Sequence, residues 1–126
     1  MRSPSVLIVY DHPGFRAAVR DVLAGCGYLV VGEAVDGASA VVAAAELRPT
    51  VILLDIGLPD IDGFEVARQL LSTEDRPRLV FVSTREARDY GRRIGDSGAI
   101  GFITKSTLSA ATLHAILHGA TEVVAT

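Results

Sequence analysis

Cysteine is nearly missing from this sequence. Cys26 is the single one among 126 residues. That excludes an intramolecular disulfide framework and a cysteine-based zinc site, and it fits a reducing compartment. Lysine is as scarce: of the 12 basic residues 11 are Arg, and Lys105 is the exception. A composition rich in Arg, Ala, Gly and Val is what GC-rich codon usage produces. Against that bias, a surviving lysine points to a need for an ammonium at its position. Positive charge is not in excess either. The net charge of −3 and a pI of about 5.5 argue against direct binding of nucleic acid. No run approaches the ~18 apolar residues of a membrane span. The N-terminal run from Val6 to Tyr10 meets Asp11 at once and is too short for a signal-peptide core. Linkers, repeats and low-complexity stretches are missing too. What remains is 49% hydrophobic and 21% charged, with a mean hydropathy of +0.37. That is too apolar for disorder and ample for the core of one cytoplasmic domain over residues 1–126.

Five short apolar runs recur: Val6–Tyr10, Tyr28–Val31, Val51–Leu54, Leu79–Val82 and Ile100–Ile103. They are continuous rather than alternating, which predicts strands buried on both faces, as in a parallel sheet. Helical spacing lies between them. Phe15, Ala18, Val19, Val22, Leu23 and Cys26 share one helix face. Ala38, Val41, Val42 and Ala45 form a second stripe, with Asp36 as its N-cap. Asp62 and Glu65 predict a capping box before Val66, Ala67, Leu70 and Leu71. A fifth helix carries Leu113, Ile116, Leu117 and Ala120, with Ser106 as its cap. The fourth, over Glu86–Ser97, is polar, holds Gly91 and Gly95, and offers only Ala87, Tyr90 and Ile94 to a core. It is expected to be the most mobile helix, and Thr121–Thr126 a frayed tail. Five β-α repeats predict an α/β fold, a doubly wound parallel sheet with helices on both faces.

Polar residues gather where the strands end. The first strand runs into Tyr10 and Asp11, the third into Asp55, the fourth into Ser83 and Thr84, the fifth into Thr104 and Lys105. In an open α/β sheet the ligand site lies beyond the carboxyl ends of the strands. Two carboxylates, a hydroxyl and an ammonium would meet there. Two carboxylates suit Mg²⁺, which takes few carboxylates and keeps waters and phosphate oxygens. The hydroxyl and lysine suit a phosphoryl group. Together they point to phosphoryl transfer onto a carboxylate.

The segment Val51–Gly63, with Asp55, Pro59, Asp62 and Gly63 in order, resembles the phosphoacceptor strand and loop of two-component response-regulator receiver domains. Val6–Pro13 is similar to their first strand, especially in regulators with a helix-turn-helix output, and Gly98–Lys105 to their fifth. The likeness covers about residues 5–120. It implies a flavodoxin-like five-stranded sheet of order 2-1-3-4-5 with five helices. It also implies Asp55 as the phosphorylated carboxylate, with Asp11 and the Gly57 backbone carbonyl as further Mg²⁺ ligands. Ser83 would bond the phosphoryl group, and Lys105 would pair with phosphate or with Asp55. Phe102 would be the aromatic switch on the fifth strand. The implied function is a phosphoacceptor signalling switch. Its partners are a sensor histidine kinase and an output protein or removed DNA-binding domain, with a homodimer as a further option. The fourth helix, fifth strand and fifth helix would form the face that changes partner preference.

One departure from the family pattern is prominent. Receivers usually present two adjacent acids after the first strand, and here the first is Tyr10. The pocket therefore offers two carboxylates where the pattern has three, and Mg²⁺ is expected to bind weakly. Ser106 also stands where many receivers have Pro. A degenerate receiver, acting as a phosphorylation-independent interaction module, is the alternative. Aspartyl-phosphate hydrolases usually carry a second Asp two residues on, where this chain has Gly57, so an enzyme is disfavoured. The Tyr10–Gly14 loop lacks the Ser/Thr cluster of a flavodoxin-type phosphate loop. Blander readings remain open for several residues: Ser83 with Glu86 as a capping box, Phe102 as plain core, and His12 as a helix-start residue. His114 and His118 lie one turn apart on a surface helix without a third metal ligand.

Overall fold

The computed structural model describes residues 4–25, 27–74, 76–118 and 123–125. Strands and helices alternate: β1 (Ser5–Val9), α1 (Pro13–Ala24), β2 (Leu29–Ala34), α2 (Gly37–Leu47), β3 (Val51–Asp55), α3 (Gly63–Leu71), β4 (Arg78–Ser83), α4 (Arg93–Asp96), β5 (Gly101–Thr104), α5 (Ala110–His118) and β6 (Val123–Ala125). Short 3₁₀ turns at Ala87–Tyr90 and Lys105–Thr107 precede α4 and α5. The strands are all parallel, in the order β2-β1-β3-β4-β5-β6. The first five keep the 2-1-3-4-5 order of the flavodoxin-like fold. β6 is an addition: within the expected tail Val123–Ala125 pairs with Gly101–Ile103, and residues 121, 122 and 126 lie outside the described residues.

Alternation along each strand divides the core in two. Leu7, Val9, Ile52, Leu54, Leu79, Phe81 and Phe102 face one side, where Ala40 of α2, Val66 and Leu70 of α3, and Ile94 of α4 cover them. Val6, Ile8, Val51, Leu53, Val80, Val82 and Ile103 face the other, under Val19 and Leu23 of α1 and Leu113, Ile116 and Leu117 of α5. Both faces are therefore dry, as the continuous runs predicted. β2 departs from that expectation. It is an edge strand, mostly half-buried, and Leu29 is exposed, because only β1 flanks it.

Helix starts follow side-chain chemistry. Asp36 caps α2 in a reciprocal box with Ser39: its carboxylate accepts from the Ser39 N–H at 2.8 Å, and the Asp36 N–H donates to Ser39 Oγ at 3.3 Å. Asp62 caps α3 by accepting from the Phe64 N–H at 2.7 Å. The expected box with Glu65 does not close, because Glu65 turns to Arg68 and Gln69 instead. The cap of α5 is Ser109, not Ser106: its Oγ accepts from the Thr112 N–H, and Thr112 Oγ1 accepts from the Ser109 N–H. Ser106 lies in the intervening 3₁₀ turn.

Two stripes are narrower than their spacing suggested. On α1, Val19 and Leu23 are buried but Ala18 and Val22 are exposed, and Cys26 lies outside the described residues. On α2 the packed side is Gly37, Ala40, Val41 and Ala44, while Ala38, Val42 and Ala45 face outward. On α5, Leu113, Ile116 and Leu117 are buried as expected, and Ala120 lies outside the described residues. The fourth helical segment is broken. Its 3₁₀ turn ends at Gly91, whose φ of 59° is a left-handed value that glycine adopts without strain, and only one turn of α-helix follows.

Candidate functional site

The carboxyl edge of the sheet brings the candidate residues to one end of the molecule. Tyr10 follows β1 and donates its N–H to the Ala34 carbonyl at 3.0 Å. Arg16 fixes the turn after it: one guanidinium nitrogen donates to the Tyr10 carbonyl at 2.6 Å and another to Glu33 at 3.1 Å. Asp11 is exposed. His12 is a helix-start residue, its Nδ1 accepting from the Phe15 N–H at 3.2 Å as the cap of α1.

Asp55 closes β3 and is 8% exposed. Its Oδ1 accepts from the Gly57 N–H at 2.9 Å, and its Oδ2 has no hydrogen bond among the described residues. Burial pushes its carboxyl above the ordinary value, and Asp11 adds to that. The Gly57 hydrogen bond and the Lys105 charge act in the opposite direction. The phenol of Tyr10 is also pushed up, first by burial and then by Asp55 and Asp11. Tyr10 is therefore a neutral wall of the pocket and does not replace the missing acid.

Lys105 does not pair with Asp55 within 4 Å. Its ammonium stands 4.5 Å from the ring centre of Phe15 and 5.5 Å from that of Tyr10, and the two rings pack at 4.1 Å. An ammonium over ring faces is attracted by their negative quadrupoles, by about 0.5–2 kcal/mol according to exposure. Replacing the usual acid by Tyr10 thus removes a charge and supplies a second ring for the lysine.

Ser83 ends β4, buried, opposite Thr104 of β5. Its Oγ lies 2.6 Å from the Tyr90 hydroxyl and accepts from the Arg85 N–H at 3.1 Å. It forms no capping box with Glu86, which partners Asp89. Phe102 is fully buried in the core on the α2–α3 side, near Tyr90 at 5.9 Å between ring centres.

Asp60 does not belong to the pocket. Its two oxygens accept from the Gly37 and Ala38 N–H groups at 2.8 and 3.1 Å, at the start of α2. Those bonds hold its carboxyl below the ordinary range. Asp62 is committed to the α3 cap and to Arg93 at 3.1 Å. His114 and His118 are exposed, with ring centres 4.2 Å apart.

Among the described residues no three His, Cys, Asp or Glu gather as a metal cage. Mg²⁺ does not need one. It dehydrates reluctantly and takes one or two carboxylates with waters. The charge of Asp11 raises the cost of ionising Asp55, and a dication beside Asp55 would relieve it. The donor set therefore fits a hydrated Mg²⁺. Phe15 and Tyr90 are the neighbours that strand-end reasoning missed. Phe15 was readable only as part of an apolar stripe, and Tyr90 as one of three apolar residues in a weak helix.

The family model for the response regulator receiver domain matches residues 6–118. A putative transcriptional regulator of Pseudomonas aeruginosa is 39% identical over 79% of this chain and 48% of its own length. The virulence factors putative positive transcription regulator BvgA of Bordetella pertussis is 36% identical over 95% of this chain and 56% of its own. The chain thus spans about half the length of these relatives. Among solved structures, the signal receiver domain of the putative response regulator NarL from Mycobacterium tuberculosis superposes with a TM-score of 0.82 at 31% identity, covering 94% of this chain and 99% of that one.

Proposed function

The chain belongs to the response-regulator receiver family, and on that footing we propose that it is the phosphoacceptor switch of a two-component system, with Asp55 taking the phosphoryl group. The observation that carries this reading is the state of Asp55. It stands at the carboxyl end of the central strand β3, with Oδ1 fixed by the Gly57 N–H and Oδ2 left without a hydrogen bond among the described residues. A carboxylate oriented through one oxygen and open at the other is set up to attack phosphorus. An Asp55 oxygen forms the new O–P bond. The P–N bond of a sensor kinase's phosphohistidine breaks, and the nitrogen keeps its electron pair. Lys105 and the Ser83 hydroxyl then offset the charge on the phosphoryl oxygens.

Asp11, Asp55 and the Gly57 carbonyl would hold Mg²⁺, and when bound it supplies positive charge against the transferring group. With two acids in place of three, binding is weak. The fold's acidic charge leaves DNA contact to an output domain or output protein, in keeping with relatives described as transcription regulators. No described helix is long and apolar enough to cross a membrane. We place the domain, over residues 1–126, in the cytoplasm, where the kinase donor would reach it. The responding face comprises α4, β5 and α5, with Ser83 and Phe102 as its inner switch residues.

A second reading has its own support. Tyr10 and Phe15 hold the single lysine over their rings, which suits a degenerate receiver that binds partners without phosphate. Incubation with acetyl phosphate and Mg²⁺, followed by intact mass, separates the two. The switch gains one phosphate and its Asp55→Asn variant gains none. No gain in the native chain, or equal gain in both, contradicts the assignment.

A further inference from the structure

We propose that Tyr90 is a positioning residue for Ser83, a latch whose hydroxyl must release the Ser83 hydroxyl before that group can serve a phosphoryl group on Asp55. The proposal rests on Asp55 as phosphoacceptor and adds a regulatory step to it. The two hydroxyl oxygens are 2.6 Å apart, a short contact for this type of bond. Ser83 also accepts from the Arg85 N–H, and no hydrogen bond joins it to Asp55 among the described residues. A serine hydroxyl has one proton and two lone pairs. In the latch, a hydroxyl that turns to serve a group on Asp55 gives up its link to Tyr90.

The latch is built into the chain around it. Tyr90 is the last residue of the 3₁₀ turn, and Gly91 with its positive φ follows. Its ring leans on Phe64 at 5.7 Å and on Phe102 at 5.9 Å. Phe102, the aromatic residue of β5, carries no hydroxyl, and the phenol that meets Ser83 comes from Tyr90. The adjoining α4 carries Arg93, which lies over the Phe64 ring at 4.1 Å and bonds Asp62 at 3.1 Å. Release of Tyr90 therefore loosens a segment whose outer surface bears an arginine pairing with α3. A change at Ser83 becomes a change in an exposed charged surface.

Tyr90→Phe keeps the ring and deletes the hydroxyl. Two measurements on Tyr90→Phe, Ser83→Ala and the double variant of the full chain test the latch. The first is the rate of Asp55 labelling by acetyl phosphate with Mg²⁺, read by intact mass. Loss of one hydrogen bond predicts labelling faster by about three- to tenfold in Tyr90→Phe, and no effect of that substitution in the Ser83→Ala background. The second is amide exchange over residues 86–96. Each single variant should speed it, and the double variant should add nothing further. Wild-type labelling and exchange in Tyr90→Phe, or effects that add in the double variant, overturn the proposal. If no protein is labelled while the exchange cycle is non-additive, the phosphoacceptor reading falls and the hydroxyl pair still stands as the tether of this segment.

Discussion

The carboxylate proposed to accept a phosphoryl group stands where its charge is costly. Burial holds the Asp55 carboxyl above its ordinary value, so the folded chain keeps that proton to a higher pH than the unfolded chain does. Between the ordinary and the raised value the folded state binds more protons, and stability falls as pH rises through that window. Asp55→Asn keeps an acceptor for the Gly57 N–H and removes the charge. It should therefore raise the urea midpoint at neutral pH, with the advantage shrinking as pH falls from the raised value to the ordinary carboxylate value and gone below it. A constant difference across pH would contradict burial as the cause. Tyr10 poses the opposite case. Tyr10→Asp restores a third acid beside Asp11 and Asp55 and gives up a buried ring. Against a dication at ~6 Å, a unit charge is worth several kcal/mol before desolvation, and ~1.4 kcal/mol surviving is tenfold. The variant should bind Mg²⁺ about tenfold tighter by titration, yet be less stable without metal by about 2–4 kcal/mol. Equal Mg²⁺ affinity in the two proteins would remove Tyr10 from the account of weak binding.

Among the elements, the loop after β3 and the segment before β5 differ most in how firmly they are held. A Cβ at Gly63 would lie 2.6 Å from the Ile56 backbone, where the Gly63 N–H bonds the Ile56 carbonyl at 3.1 Å. Gly63→Ala must push the loop after β3 off α3, and about 1–3 kcal/mol of stability should be lost by urea denaturation. The segment over Ala87–Asp96 buries only Ile94. Its amides should exchange at least about tenfold faster than those of α1 and α5; comparable protection would show it is held by more than Ile94 and Tyr90. Its weakness was legible from two glycines and a thin apolar stripe, though its division into a 3₁₀ turn and a single α turn was not. α2 was misread for a related reason. Alanines at 38, 40, 43, 44 and 45 make every face equally plausible from hydropathy, so the packed side is decided by what α3 and β2 leave room for. Ser106 and Ser109 are interchangeable as cap signals, and only the intervening 3₁₀ turn selects Ser109.

At the scale of the whole molecule, parallel topology was legible because β1, β3, β4 and β5 are continuous apolar runs, and the site was legible because each run ends in a polar residue. Asp11, Asp55, Ser83 and Lys105 all fall at the carboxyl edge of one sheet. What the sequence withheld was the side-chain traffic across that edge. Lys105 over Phe15 and Tyr10 joins residues far apart in the chain, Ser83 meets Tyr90 across an irregular turn seven residues long, and no periodicity encodes either contact. β6 was hidden for the same reason, since three residues pairing with an edge carry little pattern. The central claim is that this edge delivers a phosphoryl group to Asp55 and to no other residue. Its most direct test is to treat the chain with acetyl phosphate and Mg²⁺, reduce any acyl phosphate with borohydride, and map the product by tandem mass spectrometry. The account predicts homoserine at position 55 alone. Reduction at Asp11, Asp60 or Asp62, or no reduced residue at all, would contradict it.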